Sequence, residues 1–463
     1  MAESTLNAND FEPVSIEREV QGISRPSLSY WQDGWIRLKV NRRALISLYI
    51  VIGLLGFTLL GPLMWTVDPT AQDLDQVSQP PGADRGATIV ASFQSWEGAT
   101  ANAQVSGQES TSAQMQLVGP ATTQAVRLLW DPVLDAAGYR VYRNLFPAEK
   151  GLALGLPLAE ILSPDRVSFE DRLNLEARTY YYAVVALDPD GQEFSDFASL
   201  PVDVIRVITA EQAVERGLAN PGELKPGDEV QLKLHPFGTD YLGRDLLARL
   251  MSGAQVSLFI GIVAPMLFVL AGILYGSTAG FLGGKWDQVL MRFADFVVAL
   301  PFLLFMILFK IAFGIGPGES GILPMLAALV LLSWPATARL VRGQILQIRE
   351  EGYISASQLL GAKTHYLVLR HMIPNTMGVI LVTLTFAVPG AIFTEAFLSF
   401  IGMGVAPPTA SWGSMCNEGI QTMLTHPHEL IFPAVFISIT VLAFNLLGDG
   451  LRDALDARMR SRE

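Results

Sequence analysis

Apolar residues dominate six long runs of the chain, at 44–65, 255–281, 289–313, 322–340, 378–401 and 430–447, with only short polar segments between the last five. A helix needs roughly 20 such residues to cross a bilayer, so the pattern predicts six transmembrane helices. The segment from 67 to 250 is different. Residues 80–123 are rich in Gln, Ser, Ala, Thr and Gly, which predicts a flexible lead-in. Beyond it, "AVRLLWDPV", "AAGYRVYRN" and "ARTYYYAVVALDPDGQEFSD" alternate or break at turn residues, as strands do. Short strands at regular spacing predict a small β-sandwich. Trp130, Tyr139 and Tyr142 are read as its core.

One polar segment between spans is also patterned. "REEGYISASQLLGAKTHYLVLRHMIPN", 349–375, has Glu350 and Glu351 at the start of a helical stretch and Lys363 past its end, as the helix dipole favours. Tyr353, Ala356 and Leu360 fall at i, i+3 and i+7 and make a narrow apolar stripe. Ser355, Ala356 and Ser357 are small enough for another surface to come close. Gly361 suits the left-handed position that ends a helix. A second helical run leads to Pro374, where a membrane span is expected to begin. The stripe is too narrow and too poor in Leu, Phe and Trp for a helix lying on lipid, so a protein partner is expected.

Charge sets the orientation. Arg37, Lys39, Arg42 and Arg43 precede the first run, and Lys285 and Arg292 flank the loop after the second. Arg339, Arg342, Arg349, Lys363 and Arg370 crowd the patterned loop, and Arg452, Arg458, Arg460 and Arg462 close the chain. The positive-inside rule makes all four regions cytoplasmic and puts the acid-rich 67–250 outside. The first run starts too deep for a cleaved signal and is read as an anchor. Composition agrees: 463 residues, 50% hydrophobic and 16% charged, well under the quarter usual for soluble domains. A net charge of −12 argues against a nucleic-acid partner. Cys416 alone excludes an internal disulfide framework. The histidines show no metal-ligand spacing, and His426 and His428 flank a proline in a loop.

These residues carry a family resemblance. "EEGYISASQLLGAKTHYLVLRHMIPN" resembles the cytoplasmic coupling loop of permease subunits in bacterial ATP-binding-cassette importers, with Ser355 and Ser357 in place of the usual Glu and second Ala. Its "HMIPN" ending is similar to the dipeptide/oligopeptide/nickel branch. "HPFGTDYLGRDLLARLMSGAQVSLFIG", "GGKWDQVLMRFADFVVALP", "EAFLSFIGMGVAPPTASWGSM" and "LGDGLRDALDARMR" resemble the C-type permease of that branch, in this order. The stretch 124–206 resembles a fibronectin type III domain and lies outside the permease pattern.

The resemblance implies an all-α polytopic membrane protein of six helices, with the type I importer permease fold and an inserted external β-sandwich. The implied divisions are a cytoplasmic tail 1–43, a first helix 44–66, a lead-in 67–123, the sandwich 124–206, a connector 207–250, a five-helix core 251–449 carrying a coupling helix at 350–361, and a cytoplasmic tail 450–463. It implies import of a peptide across the bacterial inner membrane, driven by two ATPase subunits, with a second homologous permease and an external substrate-binding protein. ATP and Mg would be bound by the partners, since no G-x-x-x-x-G-K-[ST] occurs in this chain. Contact with the ATPase falls to Glu351, Tyr353, Ile354, Ala356, Ser357, Leu360, Gly361 and Ala362. Asp240, Gly243, Arg244 and Asp245 form an expected salt-bridged elbow on the outside. Asp287, Arg292 and Asp295 are expected to fix helix ends. Glu395, inside the fifth run, is a candidate for the translocation path or a structural pair with Arg292 or Lys310. "GSTAGFLGG" is read as helix packing and a tight turn. Two rivals are weighed: an adhesion receptor or scaffold, which leaves the patterned loop unexplained, and an intramembrane enzyme, for which no G-x-S-x-G or H-E-x-x-H is present.

Overall fold

The structure, a computed structural model, describes residues 30–100, 112–148, 153–313 and 320–455. The tails 1–29 and 456–463, with Arg458, Arg460 and Arg462, lie outside the described residues. The chain forms two compact units, Met1–Thr70 with Ala248–Glu463, and Ala71–Leu247.

The first unit is helical. Its elements are α1 (Tyr30–Val40), α2 (Arg42–Met64), α3 (Leu246–Leu282), α4 (Gly284–Val298), α5 (Phe302–Ala312), α6 (Ile322–Arg349), α7 (Gly352–Leu359), α8 (Thr364–Phe400), α9 (Trp412–Thr422) and α10 (His428–Leu455). Among the described residues, α2, α3, α6, α8 and α10 are each long and apolar enough to cross a membrane. The expected third span is not one helix: α4 and α5 meet at 81°. The break lies at Pro301, whose ring disfavours helical geometry at Leu300 and which has no N–H to continue the ladder. Helix ends also differ from the apolar windows. α3 starts at Leu246, α6 runs on to Arg349 and α10 reaches Leu455, because polar residues extend a helix past the hydrocarbon depth that hydropathy records. The expected tail 1–43 contains α1, which packs on α10 through Leu38, Leu451 and Ala454.

Small residues set how close these helices come. Gly272, Gly276 and Gly280 lie at i, i+4 and i+8 on one face of α3. A Cβ on Gly276 would stand 2.3 Å from the Ala338 carbonyl oxygen, and one on Gly272 2.6 Å from Thr337 Cβ, both in α6. Gly261 meets Ile392 of α8 in the same way, at 2.1 Å. The glycine-rich stretch is therefore a packing face. The core around it contains Ile260, Ala264, Ala328, Ala338, Val341, Ile345 and Leu398, all fully buried or nearly so. Ion pairs secure α4 to α6: Arg342 bonds both oxygens of Asp287 at 2.5 Å, and Arg339 bonds Asp295 at 2.7 Å. These acids thus cross-link two helices, and Asp287 also stands in the first turn of α4, in keeping with the helix-end role expected of it. Arg292 is 87% exposed and stands 4.0 Å from Asp295.

The second unit contains three sheets. β1 (Gly86–Val90) lies between β10 (Glu229–Gln231), antiparallel, and β9 (Val207–Thr209), parallel. The connection from β1 to β9 holds the other two, β2–β3–β6 and β5–β4–β7–β8, where β2 is Met115–Leu117, β3 Val126–Trp130, β4 Gly138–Asn144, β5 Ala159–Ile161, β6 Ser168–Asp171, β7 Thr179–Leu187 and β8 Ala198–Asp203. Leu128 and Trp130 from one sheet and Tyr139, Val141, Tyr182 and Val184 from the other share one core, as the strand alternation predicts. Trp130 meets Tyr139 edge-on at 5.4 Å. The Asp-Pro-Asp-Gly turn forms as expected, with Asp188 Oδ1 accepting from the N–H of Asp190 and Gln192 and Gly191 at φ +78. Asp171, buried, accepts from Tyr182 and Arg143 at 2.6 and 2.8 Å. Burial and that carboxylate push the Tyr182 phenol well up from its ordinary pKa.

The lead-in and connector are more ordered than composition suggests. The lead-in 67–123 contains β1 and β2, so the two-sheet body starts ahead of 124. The connector 207–250 contains β9, a short helix Ala210–Glu215 with a Thr209–Gln212 capping box, and β10. Strands of three to five residues whose partners lie more than a hundred positions away leave little trace in local composition.

The glycine face yields a test. Gly276→Leu should destabilise the solubilised chain by about 1–3 kcal/mol or more by forcing α3 from α6. Gly343→Ala on α6, where an added Cβ meets nothing within 4 Å, should leave stability unchanged or slightly raised. Thermal unfolding in detergent measures both, and equal melting of Gly276→Leu and the parent would refute the close approach.

Candidate functional site

The patterned loop is built from the end of α6, the whole of α7 and the start of α8. Arg349, last in α6, donates to the carbonyls of Gly280 and Phe281 at 3.4 and 3.2 Å and so caps the end of α3. Glu351 has extended backbone and is the N-cap of α7, followed by Gly352 in the first turn. At the other end, Gly361 has φ +82, its N–H donates to Gln358 O at 2.9 Å, and the Ala362 N–H donates to Ser357 O at 3.1 Å. That pair of bonds is the Schellman arrangement, and the sequence expectation for Gly361 holds.

Residues of α7 divide into two faces. Ile354 is fully buried and belongs to the same helical core as Met372, Ile348 and Val368. Glu351, Tyr353, Ala356, Leu359, Leu360 and Gly361 are exposed, Leu359 and Leu360 at 90% and 89%. Ser357 and Ala362 are half-buried, and the Ser357 hydroxyl turns back to Tyr353 O at 2.8 Å. The expected stripe is therefore on the surface. Sequence reading missed Leu359, its most exposed apolar member, and the inward role of Ile354. Tyr353 is partly engaged already: its hydroxyl accepts from Asn375 Nδ2 at 2.9 Å and its ring lies edge-on to His371. Tyr366 and Leu369, also exposed, extend the apolar surface onto α8.

Pro374 stands in the first turn of the regular helix Ile373–Phe400, as expected, and the second helical run joins it without a break. α8 starts ten positions earlier at Thr364 and passes through a wide π-type turn at Val368–Met372, closed by the Ile373 N–H on Val368 O. The wider turn accommodates a proline just beyond it.

The elbow residues come together as expected, within the second unit. Arg244 Nε donates to Asp240 Oδ2 at 2.7 Å, and both side chains are buried. Asp240 Oδ1 also takes the N–H of Leu242 and Arg244, each at 2.9 Å. Gly243, at φ +72, lies against the chain at Asp73, where a Cβ would stand 1.8 Å from a carbonyl oxygen. Asp245 pairs with His235 at 2.6 Å. The 73–79 strap completes the elbow, Thr239 Oγ1 accepting from the Gln79 N–H at 2.8 Å.

Glu395 has neither suggested partner. Lys310 donates to Gly402 O at 3.1 Å and Arg292 faces Asp295. Glu395 is fully buried, Oε1 accepts from Ser399 at 2.8 Å, and the hydroxyls of Ser257 and Ser411 lie against the same carboxyl. It thus sits where α3, α8 and the start of α9 meet. Among the described residues no three His, Cys, Asp or Glu side chains group as metal ligands.

The sequence is similar to those of known proteins. Residues 272–461 match the family described as binding-protein-dependent transport system inner membrane component, and 29–81 match the N-terminal TM domain of oligopeptide transport permease C. The chain is 48% identical over 233 residues to the oligopeptide transport system permease protein OppC of Bacillus subtilis, covering 50% of this chain and 75% of that one. It is 48% identical over 227 residues to the dipeptide transport system permease protein DppC of the same organism, covering 49% and 69%. The permease of the MetNI methionine ABC transporter superposes with a TM-score of 0.36 and 15% identity, over 44% of this chain and 94% of that one. Nearly half of the aligned residues are thus shared with a relative over three quarters of its length, and the chain belongs to the family of binding-protein-dependent transport system inner membrane components, as a permease of an ABC importer.

Proposed function

We propose that this permease forms one half of a peptide pathway through the bacterial inner membrane and is driven through α7. One observation carries the coupling role: α7 presents Leu359 and Leu360 almost fully exposed while Ile354, on its other face, is seated in the core of the bundle. A short helix so held suits docking into a groove of an ATPase subunit. Two such subunits, with ATP and Mg bound to them, a second homologous permease and an external substrate-binding protein complete the assembly. A peptide cargo is supported by the names of the OppC and DppC relatives. The bent α4–α5 pair counts as one span in this reading, giving six helices of type I importer arrangement, both termini in the cytoplasm and Ala71–Leu247 outside.

Displacement of α7 when the ATPases close passes to Ile354, and from there to α6 and α8. The bundle then rocks between two arrangements biased by nucleotide. Glu351, Tyr353, Ala356, Ser357, Leu360, Gly361 and Ala362 make or shape the contact. The two-sheet body is a fibronectin type III-like sandwich, supported by its three- and four-stranded sheets around Trp130 and Tyr139. It serves as a spacer or a protein-binding module.

Replacing Gly361 separates backbone from volume, because an added Cβ meets nothing within 4 Å. Gly361→Val should cost roughly 1–2 kcal/mol at positive φ and uncouple uptake from ATP hydrolysis. Gly361→Asn, which tolerates that conformation, should retain coupling. Uptake and ATPase stimulation in vesicles holding the full complex decide it, and equal coupling in both variants would make the segment a mere connector.

Leu359→Asp with Leu360→Asp should release the ATPase subunits on purification in mild detergent, while membrane insertion is kept. Retention at parental stoichiometry would place the docking surface elsewhere.

Replacing 91–205 by a flexible linker of about fifteen residues should preserve the β10–β1–β9 sheet and basal uptake, since a parallel pair needs a crossover of about a dozen residues or more. Loss of membrane assembly in that variant would show the sandwich to be part of the transport core.

A further inference from the structure

Arg206 lies between β8 and β9 and is 7% exposed. Its guanidinium donates to the carbonyl of Asp84 and to Oε1 of Gln79, both neutral acceptors. No carboxylate forms an ion pair with it among the described residues. The nearby acids are engaged elsewhere: Asp84 Oδ1 accepts from the Gly86 N–H at 3.0 Å, and Asp73 pairs with Arg216 at 2.9 Å. A guanidinium has five N–H groups in a planar fork, so most of this one has no protein acceptor. A buried charge without a counter-charge is costly and is normally paired. Burial accordingly holds the Arg206 pKa below its ordinary value, with Asp84 and Asp73 pulling the other way.

Arg206 faces a recess that Gln76, Gln79, Arg85, Lys233 and His235 also line. Arg85 and Lys233 are exposed, so a net-acidic chain gathers three permanent cations around one opening, with Asp84 as the single acid. Its floor has room for a water-sized occupant, about 20 Å³, within an opening of about 290 Å³. That admits one water, one halide or one carboxylate oxygen.

We propose that this recess binds a compact monovalent anion, a carboxylate group or a halide, on Arg206, with Arg85 and Lys233 drawing it in from the rim. The planar fork suits a carboxylate best. The anion comes either from solution or from an acidic side chain of an external protein. The site stands on the geometry of the second unit alone and holds whatever the cargo of the permease.

The test uses the purified full-length chain in detergent, with sodium acetate or sodium bromide replacing sodium sulfate at constant ionic strength. Over the linear fall that removing sulfate produces, thermal unfolding should show a saturable rise with acetate and with bromide. The double variant Arg85→Gln/Lys233→Gln, altered only at exposed positions, should need at least threefold more acetate for half the effect. Arg206→Gln should abolish the response, and if that variant does not fold the rim variant still decides. No saturable rise, or one identical in the rim variant, overturns the proposal. The source follows from repeating the titration on the complex with its external binding protein. A response in the isolated chain but not in the complex identifies an acidic side chain of the partner, and a response in both identifies a free anion.

Discussion

Everything in the helical unit depends on the absence of side chains along one face of α3. With Gly272, Gly276 and Gly280 against α6, backbone meets backbone, and the two helices have no compressible layer between them. In a membrane, where lipid is as apolar as leucine, such close contact is itself a main source of helix association. α6 is fixed again at its last residue, where Arg349 holds the terminal carbonyls of α3. Five positions later Ile354 enters the same core. The short helix α7 is therefore joined to the bundle through stiff contacts on its buried side.

Several polar groups within the bundle meet one another, although Oε2 of Glu395 is buried without a hydrogen-bond partner. Asp287 and Asp295 find Arg342 and Arg339 on α6, which fixes the amphipathic α4 beside it. At the 81° bend the chain uses a proline, which brings no donor to a place where a lone N–H would be costly. Glu395 is met by hydroxyls at a three-way junction, and its neighbours Gly253 and Gly413 let α3 and α9 close upon it.

Much of this was legible. Apolar runs located the helices because lipid imposes a length. Gly361 was legible because few residues accept a positive φ at a helix end, and Trp130 and Tyr139 because alternation marks an inner face. Tyr142, read as core, is three positions on and packs instead with Ala183 and Val185 on the other side of the sheet. Other features had no local sign. A run such as 289–313 is mostly apolar whether straight or bent, and only the effect of Pro301 on its predecessor hints at the break. Ile354 looks like any residue of the loop until the core it shares with Met372 and Val368 is assembled. β1 and β9 are too short to stand out and are paired only by the fold. Arg206, at the edge of the predicted sandwich, gains its meaning from Gln79 and Asp84, more than a hundred positions away.

The parallel pairing of β1 with β9 carries a further consequence. A parallel pair always requires a return path, and here that path contains an entire folded body. The entropy of closing a loop grows only with the logarithm of its length, about 0.6 kcal/mol for each doubling. A lineage can therefore lengthen this path greatly at little thermodynamic cost to the strands at its base. Changes of length or sequence within that path then leave the pairing of the strands at its base nearly untouched.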